Sequence, residues 1–416
     1  MAEQTMPVHA PMDQFAVADG QLQVGGKSLS LVAERVGQTP FYAYDRGLLR
    51  ERVAALRAAL PASVKLHYAM KANPFAPLVC FMAGQVDGID VASAGELQVA
   101  LNAGAPPAEI SFAGPGKKAA ELRQAVAAGV LVNVESMREV ELLAGIGHEL
   151  GAAPRVAVRV NPDFELKGSG MKMGGGPKQF GVDVEQVPEL LRRIGGTGLA
   201  FEGFHLFAGS QNLRAESICE AQQKSYELAL RLAAHAAQPV RFLNLGGGFG
   251  IPYFPGERRL DLSPIGDNLA TLVERAGREL PQASLVIELG RYLVGEAGVY
   301  VARVVDRKLS RGQVFLVTDG GLHHHLSASG NFGQVVRKNY PVTTSPWHGR
   351  SAGAAATEVA SVVGPLCTPL DLLADRMELP VAQEGDLVVV FQSGAYGASA
   401  SPQAFLGHPP CAEVLV

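Results

Sequence analysis

The sequence has few cysteines, no excess of basic residues and no long apolar run. Its four cysteines lie far apart without the paired spacing of a metal site, which favours reduced thiols in a cytoplasmic protein. A formal charge of -4 argues against the broad positive field of nucleic-acid-binding or membrane-surface proteins. No run of about 18 apolar residues occurs and the first residues lack a signal-peptide pattern, so we expect neither export nor a membrane span.

The residues that are present describe a globular chain of two parts. With 416 residues, 47% of them hydrophobic and 18% charged, the chain is longer than one ordinary domain and suits a large barrel plus a second module. From Val64 onward, short apolar strands alternate with amphipathic helical segments, a pattern typical of parallel sheets. The predicted strands are Val64–Met70, Gly88–Ala92, Ile110–Ala113, Val130–Val134, Arg155–Asn161, Ala200–Phe207, Val240–Leu245 and Ser284–Leu289.

Eight such units predict an α/β fold, a (β/α)8 TIM-type barrel. An open, doubly wound sheet is the alternative, and a glycine-rich turn at Gly246 would suit it, although no acidic ribose-binding residue follows at the expected distance. After Leu289 the segments become β-rich without long helices, which predicts a C-terminal all-β domain. Its predicted strands are Tyr300–Asp306, Val314–Thr318, Glu358–Val363, Leu387–Phe391 and Glu413–Val416, and the stretch 323–356 is expected to be loop. We therefore expect an N-terminal tail with strands that join the β domain (1–38), a barrel (39–291) and a C-terminal β-sandwich or barrel (292–416).

One lysine stands at a chemically useful place in this plan. Lys71 follows the apolar run Leu66–Met70, and Asn73-Pro74 must end that strand. A lysine held by a rigid strand and partly desolvated has a lowered pKa, and its free amine can form an imine. We expect Lys71 to occupy such an interior position, whereas a solvent-facing lysine at a strand end is the alternative.

Polar or glycine-rich segments follow several of the predicted strands, at the barrel end where function collects. The run Leu245–Gly250 can form a nest of backbone N–H groups for a phosphate monoester, and Ser210 and Arg291 arrive from the neighbouring strands. Glu288 ends an otherwise apolar strand and needs a cationic partner. A pyridinium N–H of pyridoxal phosphate is one such partner, and Arg291 or another internal arginine is the other.

These segments together resemble the fold-type III pyridoxal-phosphate decarboxylases, the family of the diaminopimelate, ornithine and arginine decarboxylases. The matching motifs run in order along nearly the whole chain. They are Tyr68-Ala69-Met70-Lys71-Ala72-Asn73, Asp90-Val91-Ala92-Ser93-Ala94-Gly95-Glu96-Leu97, Arg159-Val160-Asn161-Pro162, Gly209-Ser210-Gln211, Leu245-Gly246-Gly247-Gly248-Phe249-Gly250, Glu288-Leu289-Gly290-Arg291, Gly364-Pro365-Leu366-Cys367 and Ser393-Gly394-Ala395-Tyr396.

The resemblance implies a cofactor, roles for individual residues and a dimer. Lys71 is the implied Schiff-base lysine, Glu288 the partner of the pyridine nitrogen, and Cys367 a thiol that reaches the partner subunit's site and returns a proton after CO2 leaves. A homodimer with shared active sites follows from that role. The candidate cofactor contacts are Asp90, Phe207, Ser210, Gly246, Gly247, Gly248, Glu288, Gly290, Arg291 and Tyr396.

The departures from the family pattern concern the distal half of the substrate. Phe207 stands where relatives have a histidine that stacks on the cofactor, and its aromatic face can still stack. A segment Thr368-Pro369-Leu370 replaces the glutamate that reads a distal amine, which leaves Asp371 as the candidate amine contact. No arginine for a distal carboxylate follows Asp319-Gly320-Gly321, and the loop 167–178, glycine-rich and basic, could close over the site or meet an acidic carrier protein.

We therefore predict a cytoplasmic pyridoxal-phosphate amino-acid decarboxylase that binds no metal. The cofactor half is retained while the distal-substrate half is rebuilt, which resembles the biosynthetic-cluster branch, including carrier-protein-linked and exosortase-associated decarboxylases. The substrate is a free amino acid or an aminoacyl carrier protein, and neither nucleic acid nor a membrane is expected as a partner. An amino-acid racemase on the same barrel and a non-catalytic, decarboxylase-like regulator are the alternatives.

Overall fold

The chain forms two compact units in the computed structural model, which describes residues 8–164, 171–172, 175–346 and 356–416. The barrel unit comprises Arg52–Ile251 and Leu260–Tyr292. The β unit comprises the described residues of Met1–Glu51, Pro252–Arg259 and Leu293–Val416. The predicted basic loop 167–178 lies partly outside the described residues, as does the far N-terminal tail. Among the described residues, no helix is both long and apolar enough to cross a membrane.

The barrel unit contains a closed parallel sheet. We number its strands 1 to 8 along the chain: Lys65–Ala69, Gly88–Val91, Ile110–Phe112, Leu131–Val134, Arg155–Asn161, Ala200–Leu206, Phe242–Gly247 and Ser284–Leu289. Each strand pairs in parallel with the next, strand 4 pairs with strand 5, and strand 8 pairs with strand 1. This closure confirms the predicted TIM-type barrel and excludes the open sheet. The strand Val182–Asp183 adds to the edge of strand 5.

Helices follow the barrel strands as the alternating sequence pattern predicts. Ser93, which stands among the polar residues after strand 2, begins one of them: its Oγ accepts the Glu96 N–H at 3.1 Å, while the Glu96 carboxylate accepts the Ala92 N–H at 2.7 Å. Ser93 therefore has a capping role. The longer helices are Arg46–Ala59, Ala76–Ala83, Ala94–Asn102, Ala119–Ala128, Met137–Leu150, Val187–Gly195, Ala215–Ala233 and Ser263–Glu279.

Each barrel strand carries one buried polar side chain of a set in which several members contact one another across neighbouring strands. Since successive residues of a strand face opposite sides of the sheet, one face of each strand can be apolar while the other carries these groups. Hydrogen bonds satisfy many of them, as between Asn133 and Ser111 at 2.8 Å. The set is His67, Asp90, Ser111, Asn133, Arg159, His205, Asn244 and Glu288.

The β unit is built on one mixed sheet. Its strands run in the order Val342–Ser345, Leu387–Val390, Gly298–Ser310, Gln313–Thr318, Thr357–Val363 and Leu372–Pro380. The all-β prediction for this part of the chain is confirmed, but two of these strands were not predicted. Val342–Ser345 lies within the stretch 323–356 that was expected to be loop, and Leu372–Pro380 carries charged residues that weaken its strand pattern.

The N-terminal segment contributes a small sheet to the β unit. Val17–Ala18 and Gln21–Val24 pair antiparallel around Asp19-Gly20, where both residues have positive φ (50° and 72°), as a two-residue hairpin turn requires. A third strand, Lys27–Ser28, and the helix Leu29–Val36 follow. Phe15 and residues of this helix pack in the same apolar core as the strands of the large sheet.

The strand Phe41–Tyr44 also belongs to the β unit, although residues 39–291 were assigned to the barrel from the sequence. It pairs antiparallel with the start of Gly298–Ser310 and in parallel with the C-terminal strand Ala412–Leu415. All four of its residues are buried. The sequence of an isolated four-residue apolar strand does not show which strand it pairs with. Only the observed pairing therefore assigns this strand to the β unit and not to the barrel.

Candidate active site

Lys71 lies just beyond barrel strand 1, in the short 3-10 turn Met70–Ala72. Its side chain is exposed, which corrects the expected interior position: the buried run of the strand ends at Met70, one residue earlier. The Nζ atom lies 5.5 Å from the centroid of the Phe207 ring, which is buried directly after strand 6. The structure therefore brings together the predicted lysine and the aromatic residue at the predicted stacking position.

Glu288 is a buried carboxylate surrounded by hydrogen-bond donors and positive charge. Asn244 Nδ2 donates a hydrogen bond to its Oε2 at 2.9 Å, and His205 Nε2 lies 3.0 Å from the same oxygen. Burial raises the pKa of Glu288, but His205, Lys71 and Arg159 together lower it more, and the resulting pKa is about 2. The carboxylate is therefore ionised at neutral pH, and Arg159 is the internal arginine that contributes to this.

Asp90 is paired with a histidine inside the barrel. His67 Nδ1 lies 3.1 Å from Asp90 Oδ1, and both side chains are buried. Burial lowers the pKa of His67, and the adjacent Asp90 carboxylate raises it by more, so the net shift is upward. The predicted cofactor role of Asp90 remains a prediction, and the structure shows that one of its oxygens is already used within the barrel.

The glycine-rich turn after strand 7 packs tightly between its neighbours. Gly246 and Gly248 have positive φ, at 73° and 77°. A Cβ on Gly247 would lie 2.0 Å from the Glu288 carbonyl oxygen, and one on Gly248 would lie 2.2 Å from the Gly209 carbonyl oxygen. Only glycine permits this approach, so the ends of strands 6, 7 and 8 converge at this turn.

The segments that carry Ser210 and Arg291 reach the same end of the barrel. Gly209–Ser210 pairs antiparallel with Met171–Lys172, which belongs to the basic loop 167–178. Arg291 begins the short helix Arg291–Val294 immediately after strand 8. Gly290 lies against the turn of Lys71, because a Cβ there would be 2.9 Å from the Ala69 carbonyl oxygen.

A buried charge network beside these residues was missed by the sequence analysis. Lys117 Nζ donates to both oxygens of Glu139, at 3.1 and 3.0 Å, and Glu135 accepts the backbone N–H groups of Gly114 and Gly181. Arg159 Nη1 lies 3.3 Å from Glu135 Oε1. The network fixes the loops after strands 3, 4 and 5. The sequence feature that could have predicted this network is the recurrence of charged residues near the ends of successive strands.

The second set of predicted residues lies in the β unit. Cys367 is exposed, and Tyr396 is half-buried with a positive φ of 53°. Asp371 is buried, and its two oxygens accept the backbone N–H groups of Leu322 and Leu366 at 2.6 and 2.8 Å. The chain itself therefore engages both oxygens of this carboxylate, and its contact with a substrate amine stays a prediction.

The barrel residues suit one kind of ligand. The exposed amine of Lys71 can bind an aldehyde, the ionised Glu288 can accept a pyridinium N–H, and the turn at Gly246–Gly248 keeps side chains away from a bound phosphate. An aldehyde, a pyridine nitrogen and a phosphate monoester are the three polar groups of pyridoxal phosphate. The donor set thus fits this cofactor.

Comparisons with known proteins agree with this chemistry. The family profile described as pyridoxal-dependent decarboxylase, pyridoxal binding domain, matches residues 46–295. The L-glutamyl-[BtrI acyl-carrier protein] decarboxylase of Niallia circulans is 39% identical over 91% of this chain and 89% of its own length. The diaminopimelate decarboxylase of Aquifex aeolicus is 33% identical over 96% of this chain and 91% of its own length.

A solved structure extends the similarity to the fold. The crystal structure of diaminopimelate decarboxylase from Helicobacter pylori complexed with L-lysine has a TM-score of 0.81 and 27% sequence identity, covering 93% of each chain. Matches of this extent along the sequence and the fold confirm the predicted cofactor and enzyme class. The chain belongs to the pyridoxal-dependent decarboxylase family, the carboxy-lyases that use pyridoxal phosphate to decarboxylate amino acids.

Proposed function

We propose that this enzyme decarboxylates an amino acid attached to a carrier protein, with Lys71 as the lysine that holds the cofactor aldehyde and Cys367 as the proton donor. One observation carries the assignment of the cofactor half: the buried Glu288 carboxylate is held ionised, and the Lys71 amine lies close enough to contribute to that ionisation. An amine and an anion are thus presented at one end of the barrel, as the cofactor requires.

The barrel residues have separate tasks in this proposal. Pyridoxal phosphate, when bound, supplies an electron-withdrawing ring that accepts the electron pair released as the carboxylate departs as CO2. Glu288 would hold a proton on the ring nitrogen, since the surrounding positive charge keeps the pKa of its own carboxyl low and the group ionised. His205 and Asn244 orient the carboxylate, and Phe207 supports the ring face.

Cys367 is the proposed source of the proton that replaces the lost carboxylate. Its thiol is exposed on a loop of the β unit, so it is available to a second copy of the chain. A thiol can donate a proton near neutral pH. We propose a homodimer in which Cys367 of one subunit serves the Lys71 site of the other, with Ser210, Arg291 and Tyr396 as phosphate contacts.

The proposed substrate class has two supports. The relative of Niallia circulans named as a carrier-protein decarboxylase is 39% identical over nearly the whole chain. In addition, the distal-substrate glutamate and arginine expected for diaminopimelate are missing, and Asp371 is buried and already accepts two backbone N–H groups. The basic loop pairs with Gly209–Ser210 through Met171–Lys172, which puts it beside the proposed phosphate site.

A direct substrate comparison tests this proposal. Purified, cofactor-loaded enzyme is incubated with free meso-diaminopimelate, L-ornithine, L-arginine and L-glutamate, and with an acyl-carrier protein loaded with L-glutamate, and loss of CO2 is followed by mass spectrometry. We expect turnover of the loaded carrier protein at a kcat/KM at least about a hundredfold above that of any free amino acid. Faster turnover of free meso-diaminopimelate would show that the substrate assignment is wrong.

A variant separates the cofactor assignment from the substrate assignment. Lys71→Ala should lose the visible absorbance of the lysine-bound cofactor and all turnover, because it removes the amine that lies 5.5 Å from the centroid of the Phe207 ring. Lys65→Ala is the matched control, since Lys65 lies at the opposite end of strand 1 from Lys71 and pairs with Glu109 at 2.8 Å. Full absorbance in Lys71→Ala would refute the role of Lys71.

A further inference from the structure

The loop that carries Cys367 joins two antiparallel strands of the β unit. Thr357–Val363 ends immediately before Gly364, Leu372–Pro380 begins immediately after Asp371, and Val363 pairs with Leu372. Within the loop, the Thr368 N–H donates to the Leu366 carbonyl oxygen at 2.7 Å. Cys367 thus lies in an exposed part of a short loop whose two ends are fixed by strand pairing. The backbone conformation at Cys367 depends on contacts within the loop.

The carboxylate of Asp371 makes two bonds that bear on this loop. Its Oδ2 accepts the N–H of Leu366, the residue directly before Cys367, at 2.8 Å. Its Oδ1 accepts the N–H of Leu322 at 2.6 Å, in the segment that follows the adjacent strand Gln313–Thr318. Hydrogen bonds to an ionised acceptor are about twice as strong as neutral ones, so this carboxylate ties two loops together.

Two glycines make room for the carboxylate. A Cβ on Gly321 would lie 2.1 Å from Asp371 Oδ1, and a Cβ on Gly364 would lie 2.3 Å from Oδ2. No other residue type leaves the carboxylate in this place, since real Cβ contacts are never so short. The arrangement of Gly321, Gly364 and Asp371, which we call the Asp371 clamp, is therefore a specific structure and not a chance contact of an acidic side chain.

We infer that Asp371 is a positioning residue that holds Cys367 in the conformation needed to return the proton. The inference rests on the proposed role of Cys367. Asp371 does not touch the reacting atoms. It acts through the Leu366 N–H, which fixes the backbone one residue before the thiol, and through Leu322, which anchors the loop to the neighbouring strand. A backbone displacement of about 1 Å at a catalytic group is enough to slow a reaction about a hundredfold.

The test compares Asp371→Asn with a matched variant. Asparagine keeps the size of the side chain but replaces one acceptor oxygen with an NH2 group, so one of the two backbone N–H groups loses its partner. Asp386→Asn is the control, because Asp386 is another buried carboxylate of the β unit that accepts a backbone N–H, from Gln383 at 2.8 Å. Thermal unfolding of both variants checks that the fold is retained.

Two measurements read the position of the thiol. The first is the rate of iodoacetamide alkylation at Cys367 in the cofactor-loaded enzyme, divided by the rate at the exposed Cys80 and followed by peptide mass spectrometry. We expect Asp371→Asn to raise this ratio at least about threefold, since in the proposed dimer a loosened loop withdraws the thiol from the partner subunit's site more often. The second is turnover of the substrate found in the comparison above, where kcat should fall about tenfold with KM nearly unchanged.

The outcomes separate this inference from the proposed function. If Cys367→Ser retains full turnover, the proposed proton donor is wrong and the role of Asp371 falls with it. If Cys367→Ser loses turnover while Asp371→Asn changes neither the alkylation ratio nor kcat, only the positioning role is wrong. If Asp371→Asn does not fold, Gly364→Ala is the second test, because its Cβ displaces the Asp371 carboxylate without changing its charge. We expect the same rise in the alkylation ratio and the same fall in kcat.

Discussion

Replacement of Glu288 by glutamine tests the electrostatics on which the cofactor site depends. The pKa of Glu288 is about 2, against an ordinary value of 4.5. At 1.36 kcal/mol per pKa unit, the surroundings favour the ionised form by about 3 kcal/mol. Because the folded-state pKa is depressed, this stabilisation is fully present above pH 4.5 and is lost as the pH falls through about 2.

Glu288→Gln should therefore lower the free energy of unfolding by about 3 kcal/mol at pH 7, since His205, Lys71 and Arg159 lose their common anion. The difference from the wild type should shrink as the pH falls from 4.5 toward 2. This free-energy difference is measured by urea unfolding of the cofactor-free protein, monitored by the circular dichroism signal of the helices. Most of the helices belong to the barrel unit, so the signal reports on that unit. With cofactor, kcat should fall about 100- to 1000-fold.

The control for this prediction is Glu202→Gln. Glu202 lies on strand 6 and pairs with Arg155 at 3.2 Å, away from Lys71, and this partly exposed pair should contribute under about 1 kcal/mol. A Glu288→Gln protein whose stability differs from wild type by less than about 1 kcal/mol at pH 7, or whose deficit is the same at every pH, would refute the reasoning.

Three further predictions concern the other parts of the site and the β unit. Mixing inactive Lys71→Ala and Cys367→Ala dimers should restore about a quarter of wild-type turnover, because random exchange of subunits puts half of the chains into mixed dimers with one intact shared site each. Phe207→Leu should raise the dissociation constant of the cofactor about fivefold in absorbance titrations, whereas Phe207→His, which keeps an aromatic face, should change it less than about twofold. Burial lowers the pKa of His325 to about 3, so the unfolded chain binds a proton that the folded β unit does not, and stability should fall as the pH drops from about 6.5 toward 3. His325→Gln should flatten that dependence in thermal unfolding between these pH values.

Each of these predictions has a contrary result. Mixtures of the two inactive dimers that stay inactive under conditions of subunit exchange would argue against shared sites. Equal cofactor affinity in the leucine and histidine variants would mean that the face of Phe207 does not support the ring. For His325, the exposed His235 provides the comparison, since His235→Gln should leave the pH dependence of unfolding intact. An unchanged dependence in His325→Gln would assign the effect to other groups.

The sequence alone was sufficient for the barrel, for the cofactor, and for nominating residues at one end of the barrel. Strands that alternate with amphipathic helices are a local and repeated signal, so all eight barrel strands were predicted within a few residues of their observed bounds. The glycines at 246–248 and the lysine after strand 1 could be recognised because steric demand and strand position act over a few residues.

Only the tertiary structure decided which side chains contact each other and which strands pair. The partners of Glu288 are His205 and Asn244, which come from two other strands, and the partners of Asp371 are backbone N–H groups from two separate loops. Phe41–Tyr44 joined the β unit through pairing with a strand more than 200 residues later. Such contacts depend on strand register and on chain packing, and no local pattern of residue types encodes them, so sequence could nominate these side chains but could not assign their partners.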